Sequence, residues 1–213
     1  MSGPVIAVVD YGIGNLRSAQ KAFEHVGADA RLTADRHVID TADAVVIAGV
    51  GNFGRCMEAL HDGDLAGPTL AAVESGRPVL GICVGMQMLY EASEEAPDTA
   101  GLGVLPGTVR LLPDTEKRPQ MQWNVLERRG PSGLLDGIAD PLWMYFVHSY
   151  APPPGDAVVA TCDYGGPVTA AVEQGNVWAT QFHPEKSSAK GLAVLANFAR
   201  AAARQTHGSR QPA

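Results

Sequence analysis

Short apolar runs alternate with helix-spaced hydrophobic positions along the first half of the chain. Val5-Ile6-Ala7-Val8-Val9 is an unbroken apolar run that stops at Asp10 and a glycine-rich turn, Tyr11-Gly12-Ile13-Gly14. Behind Asn15, a residue suited to capping, Leu16, Ala19, Ala22, Phe23 and Val26 fall at helical spacing, and Gly27 supplies a stop. Residues 28–32 and 44–48 read as further strands, the second running into Gly49-Val50-Gly51. Helical stretches at 53–60 and 68–74 precede a buried strand at 78–82, which leads into Cys83 and a helix over 84–91. This rhythm predicts parallel strands joined by crossover helices, and the uninterrupted apolar strands predict a sheet covered on both faces.

From about Gly101 the texture changes. Segments 104–112, 125–127, 143–150, 158–162, 168–173 and 177–182 are strand-like, separated by proline and glycine clusters, with Gln174-Gly175-Asn176 as a hairpin turn. A last amphipathic helix is expected over 190–203, followed by a polar, frayed tail at 204–213. The prediction is one α/β domain over 1–203, with a central mixed, mostly parallel sheet flanked by helices in the flavodoxin-like manner and a β-rich C-terminal half.

Composition narrows the function classes. The chain has 213 residues, 46% hydrophobic and 18% charged, enough apolar material for a sizeable core. Sixteen basic against 23 acidic residues give a net charge of −7, contrary to the basic surplus that a nucleic-acid binder needs for phosphates. No apolar run reaches the roughly 18 residues of a membrane span. The opening Met-Ser-Gly-Pro lacks a basic n-region and a cleavage site. Three well-separated cysteines (Cys56, Cys83 and Cys162) cannot all pair with one another. A soluble, reduced, cytoplasmic protein is expected, with no nucleic-acid or membrane partner.

The chemistry concentrates at two places. Gly81-Ile82-Cys83-Val84-Gly85 has the spacing of a nucleophile elbow between a strand and a helix. Only glycine at 81 and 85 leaves room for neighbouring backbone at such a bend, and the helix N-terminus favours thiolate. The Val84 N–H would face an oxyanion formed beside the sulfur. The alternative is a buried packing cysteine, the reading retained for Cys56 and Cys162. Gln181-Phe182-His183-Pro184-Glu185 ends the last predicted strand, where alternation would put His183 and Glu185 on one face as an oriented base. A surface His-Pro-Glu turn is the alternative. His148 is a rival base without an acidic residue two positions away. No His/Cys/Asp/Glu cluster has metal-ligand spacing, and no glycine-rich phosphate loop is present, so neither metal nor cofactor is expected. Cysteine, then histidine and glutamate on an α/β sheet support acyl transfer through a thioester, without identifying the amide or ester substrate.

In this order, these motifs resemble the class I (triad) glutamine amidotransferases. The resemblance runs over nearly the whole chain: Asp10 to Leu16, Gly49-Val50-Gly51, Gly81 to Gln87, Gly101-Leu102-Gly103, Trp123-Asn124, Tyr145 to Tyr150 and Ala179 to Ser187. It implies a triad of Cys83, His183 and Glu185 acting on glutamine, and an oxyanion site from the backbone at Val50 and Val84. Gly51, Gln87, Glu95, Ser149 and Tyr150 would position L-glutamine. The opening Tyr-Gly-x-Gly-Asn, the Trp-Asn pair and the Phe-Val-His-Ser-Tyr run are similar to one branch of the class. That branch passes ammonia to a (β/α)8-barrel cyclase subunit, in a heterodimer that makes imidazole glycerol phosphate and aminoimidazole carboxamide ribotide in histidine biosynthesis. Asn15, Trp123, His148 and Lys186 match positions expected at that interface. The rivals are a glutaminase serving pyridoxal phosphate or aminobenzoate synthesis, a lone amide or γ-glutamyl hydrolase, and a non-catalytic flavodoxin-like binding module. Ala48, Val84 and the run Gln120-Met121-Gln122-Trp123 depart from the branch's usual residues.

Overall fold

Burial follows the apolar runs. The structure is a computed structural model that describes residues 3–208, with side chains as far as residue 205. β1 (Val5–Val9), α1 (Leu16–His25), β2 (Asp29–Thr33), α2 (Arg36–Thr41), β3 (Ala44–Gly49), α3 (Phe53–Asp62) and α4 (Ala66–Glu74) lead to β4 (Val79–Cys83) and α5 (Val84–Met88). There follow β5 (Tyr90–Ser93), β6 (Leu105–Leu111), β7 (Gln120–Arg128), β8 (Leu142–His148), β9 (Tyr150–Ala151), β10 (Val158–Asp163), β11 (Pro167–Gln174), β12 (Val177–Thr180) and α6 (Ser188–Gly208). Every residue of β3 and β4 is buried, whereas β2, at the sheet edge, buries only Ala30 fully.

The main sheet has nine strands in the order β2-β1-β3-β4-β12-β11-β10-β7-β8. From β2 to β12 neighbours run parallel, and from β12 to β8 they run antiparallel. β12 is therefore the seam, parallel to β4 and antiparallel to β11. A three-stranded sheet, β5-β6-β9, stands apart from it. Helices α1 and α6 pack together through Phe23 and Phe198, whose ring centroids are 5.9 Å apart, and Trp178 of β12 meets Phe198 edge-on at 5.8 Å. At the other end Phe146 of β8 meets Phe182 at 5.8 Å. Aromatic pairs thus close the core around β12 and the segment that leads from it to the candidate base. No helix among the described residues is long and apolar enough to cross a membrane.

Several elements differ from the sequence expectation, among them the strand expected over 143–150, which breaks at Ser149 into β8 and β9 of different sheets. The helix begun at Val84 stops at Met88, and Tyr90–Ser93 turns into a strand paired with β6. α2 was not foreseen; it buries only Ile39 and starts on the Asp35 side chain, which accepts from the His37 N–H. β7 begins at Gln120 rather than 125 and keeps regular pairing with β8 through Gln122↔Phe146. α6 runs to Gly208, past the predicted end at Ala203, and the Gln205 amide donates to the Gly76 carbonyl. The remainder of the expected tail, 209–213, lies outside the described residues.

Candidate active site

Cys83 occupies the bend between β4 and α5 with φ 55° and ψ −112°, a backbone conformation that costs a non-glycine residue of order 1–3 kcal/mol. The flanking glycines are sterically required. A Cβ on Gly85 would lie 1.9 Å from the Ile47 carbonyl oxygen, and one on Gly81 would lie 2.8 Å from the Gly85 carbonyl oxygen. The sulfur is consequently held at the start of a helix against the floor made by β3. Its thiol is 3.9 Å from the Val147 carbonyl, and the Gln181 amide donates to it at 3.8 Å.

Strand pairing closes the hundred-residue gap to the imidazole. β12 lies beside β4 with Thr180 opposite Ile82, so the chain leaving β12 emerges next to Cys83. The His183 N–H donates to the Tyr145 carbonyl at 3.0 Å, and the Ser187 hydroxyl donates to the His183 carbonyl at 2.6 Å. These bonds pin the His183 backbone to β8. Here the sequence expectation needs correcting. His183 and Glu185 do not alternate along a strand; β12 ends at Thr180, and the pair is formed by a 3₁₀ turn over Pro184–Lys186 with His183 as its cap. The turn brings His183 Nδ1 to 2.8 Å from Glu185 Oε1. That bond assigns the ring proton to Nδ1 and leaves Nε2 as the basic nitrogen.

Both side chains are almost wholly buried, and His183 Nε2 and Glu185 Oε2 have no hydrogen-bond partner. Burial disfavours charge on His183, yet the neighbouring Cys83 and Glu185 outweigh it and hold the imidazole above its ordinary value. The ring therefore holds a proton more readily than a free histidine, which is what a group receiving a thiol proton requires.

A cavity of about 250 Å³ opens above the sulfur. Its walls include Val50, Gly51, Cys83, Val84, Gln87, Glu95, His148, Ser149 and Tyr150, all singled out in the sequence, together with Pro119 and Val147. The Gln87 side-chain amide donates to the Tyr150 carbonyl at 2.8 Å and to Gln181 Oε1 at 3.0 Å. Glu95 accepts the Phe53 N–H at 2.7 Å, anchoring its carboxylate at the start of α3 beside Gly51. Among the described residues no group of three or more His, Cys, Asp or Glu side chains could hold a metal ion.

The pattern of the family described as glutamine amidotransferase class-I matches residues 7–202. The chain belongs to that family. This amidotransferase is 48% identical over 203 residues to imidazole glycerol phosphate synthase subunit HisH of Deinococcus radiodurans, an alignment covering 93% of this chain and 94% of that protein. It is 49% identical to the HisH subunit of Methanothermobacter thermautotrophicus, over 91% of this chain and 97% of that protein. Among solved structures, one described as a glutamine amidotransferase superposes with a TM-score of 0.71 at 21% identity, covering 93% of this chain and 98% of the other. PurLQS from Thermotoga maritima gives 0.72 at 20% identity, covering 96% and 99%. At these identities the superpositions speak to the fold alone.

The four positions expected at a subunit interface separate into two groups in this amidotransferase. Asn15, Trp123 and Lys186 are exposed and do not line the cavity. Asn15 stands at the N-cap of α1 but makes no side-chain capping bond, contrary to expectation. His148 is instead buried: Nδ1 is 2.8 Å from the Tyr150 carbonyl and Nε2 is 2.8 Å from the Gln120 carboxamide. Burial, reinforced by nearby His183, pushes it down to about 4, so it is neutral near pH 7. Besides Pro119 and Val147, two residues at the site were given no role from the sequence. Gln181 touches the sulfur, and Tyr11, buried beneath Gly49, donates to the Ala48 carbonyl at 2.7 Å just before Val50. Both lie within recognisable motifs, but a lone glutamine or tyrosine carries no spacing rule that marks it.

Proposed function

We propose that this chain is the glutaminase subunit of an imidazole glycerol phosphate synthase, acting in the cytoplasm with its residues 1–203 as the amidotransferase unit. It hydrolyses L-glutamine to glutamate and ammonia without metal or cofactor and passes the ammonia to a (β/α)8-barrel cyclase subunit. The observation that carries this reading is near-half identity to HisH subunits over more than nine-tenths of the chain. The buried His183–Glu185 pair beside Cys83 and a cavity suited to a small amino acid support the chemistry.

Cys83 Sγ attacks the side-chain carbonyl carbon of glutamine, forming the C–S bond as His183 Nε2 takes the thiol proton. The carbonyl oxygen becomes an oxyanion that backbone N–H groups at Val84 and around Val50 would hold, a contribution of about 3–4 kcal/mol per donor. The C–N bond breaks as His183 gives its proton to the leaving amine, releasing ammonia. Water then attacks the thioester, His183 takes its proton, and cleavage of the C–S bond returns the proton to sulfur and frees glutamate. Glu185 orients the ring and supports its positive charge throughout. Gly51, Gln87, Glu95 and the backbone near Ser149 and Tyr150 hold the amino-acid end.

The test uses the chain together with its candidate cyclase subunit and the cyclase's nucleotide ligand. Glutaminase activity should rise strongly on adding both. Cys83→Ala should abolish synthesis from glutamine and leave synthesis from ammonium salts intact. Loss of both in a folded, complex-forming variant would overturn the reading, as would full glutaminase activity from the chain alone.

A further inference from the structure

We propose that Gln181 is a further catalytic residue, whose side-chain N–H stabilises the Cys83 thiolate while Gln87 locks the amide in the orientation that makes this possible. The inference rests on the glutaminase reading for Cys83 as nucleophile.

The geometry begins at a backbone carbonyl. Tyr150 C=O can only accept, so the Gln87 group facing it at 2.8 Å must be the NH2 end. The second Gln87 N–H then reaches Gln181 Oε1 at 3.0 Å, which assigns the oxygen end of that carboxamide to Gln87. The NH2 end of Gln181 is left facing Cys83 Sγ at 3.8 Å. Each bond in this relay fixes the polarity of the next, so the donor at the sulfur cannot turn into an acceptor without leaving a buried oxygen opposite the Tyr150 carbonyl. The backbone is held as well, since the Gln181 N–H donates to the Ala170 carbonyl of β11 at 2.9 Å. Gln181 is fully buried, and its Nε2 donates to no other described group.

A hydrogen bond to an ionised acceptor is stronger than one to its neutral form, so a fixed N–H at sulfur favours thiolate over thiol. His183 supplies a proton acceptor, but once the proton has moved the sulfur still needs a partner on another side. The other titratable groups around it are His183 with Glu185 behind it, Tyr11 and Cys56, with Glu95, His148 and Tyr150 in the cavity wall. Substituting Gln181 removes none of them.

The experiment measures the pH dependence of iodoacetamide alkylation at Cys83, followed on its peptide by mass spectrometry, in the full chain bound to the cyclase subunit and without glutamine. Gln181→Met, similar in size and lacking a donor, should shift the alkylation profile up by about one pH unit. Glutaminase kcat should fall about tenfold with little change in KM, and Gln181→Glu should shift the profile further. A Gln181→Met profile that superimposes on the wild type overturns the proposal, as does a rise in KM alone. If Gln181→Met does not fold, Gln87→Met releases the relay from its other end and should raise the profile in the same direction; no rise there overturns it equally. A chain in which Cys83→Ala retains glutaminase activity would instead refute the glutaminase reading itself.

Discussion

His148 is a basic side chain that the fold keeps uncharged, and this has a measurable cost in acid. Its folded value near 4 lies below the ordinary 6.5 because burial outweighs the hydrogen bond to Tyr150. Between those two pH values the unfolded chain binds a proton that the folded chain refuses. Stability should therefore decline as pH falls from 6.5 towards 4, by up to roughly 3 kcal/mol. Urea unfolding at pH 7, 6 and 5 should show wild type losing stability more steeply than His148→Gln, by up to about 1.4 kcal/mol per pH unit; equal slopes would refute a neutral ring. Residues differ in how legible they were. Cys83 could be read because its bend demands glycine at 81 and 85, a local steric rule written in five letters. The His183–Glu185 contact was anticipated, but through strand alternation; a 3₁₀ turn makes it, and that choice depends on the Ser187 hydroxyl reaching back to the His183 carbonyl. The Gln181 contact depends on the orientations of two side-chain amides and on Gln87 of α5, 94 residues away in sequence, none of which a periodicity can encode.

Elements were legible where burial was complete. β1, β3 and β4 sit on both faces against other layers, so their apolar runs stand out whatever the partners. β7 was half missed because Met121, Gln122 and Trp123 are exposed, and only pairing with β8 makes the segment a strand. The first two residues of β5, Tyr90 and Glu91, read as the end of α5 because they continue a helix-compatible pattern; pairing with β6 overrides it. The hairpin turn before β12 does more than reverse the chain. The Asn176 side-chain amide donates to the carbonyls of Val73 at 2.9 Å and Arg77 at 2.8 Å, tying the hairpin to the end of α4 and the approach to β4. Asn176→Ala should lower unfolding free energy by about 2 kcal/mol, read by denaturant titration, because two partly buried carbonyls lose their partner. Glutaminase activity at low temperature should survive, since the turn lies at the far end of β12 from His183.

At the scale of the molecule, one face of the β7–β8 pair is apolar and uncovered. Met121 and Trp123 on β7, and Trp143 on β8, are 65%, 44% and 48% exposed, and Trp123 stacks edge-on against Tyr145, which lies 6.5 Å from the His183 ring. Large exposed side chains next to a reactive centre mark a protein-binding surface. Trp123→Ala should weaken binding to the cyclase subunit by about 2 kcal/mol, or roughly thirtyfold, in calorimetric titration, while leaving the thermal midpoint of the isolated chain nearly unchanged. An unaltered affinity would move the docking face elsewhere. The seam at β12 has a consequence for how such a chain is made. The ribosome delivers the sulfur long before the strand that shelters it, and until β12 slots in beside β4 that strand offers a bare, wholly apolar flank. A nascent or prematurely terminated product therefore carries a thiol without its base. Newly synthesised protein becomes able to liberate ammonia only when its final portion has threaded into place.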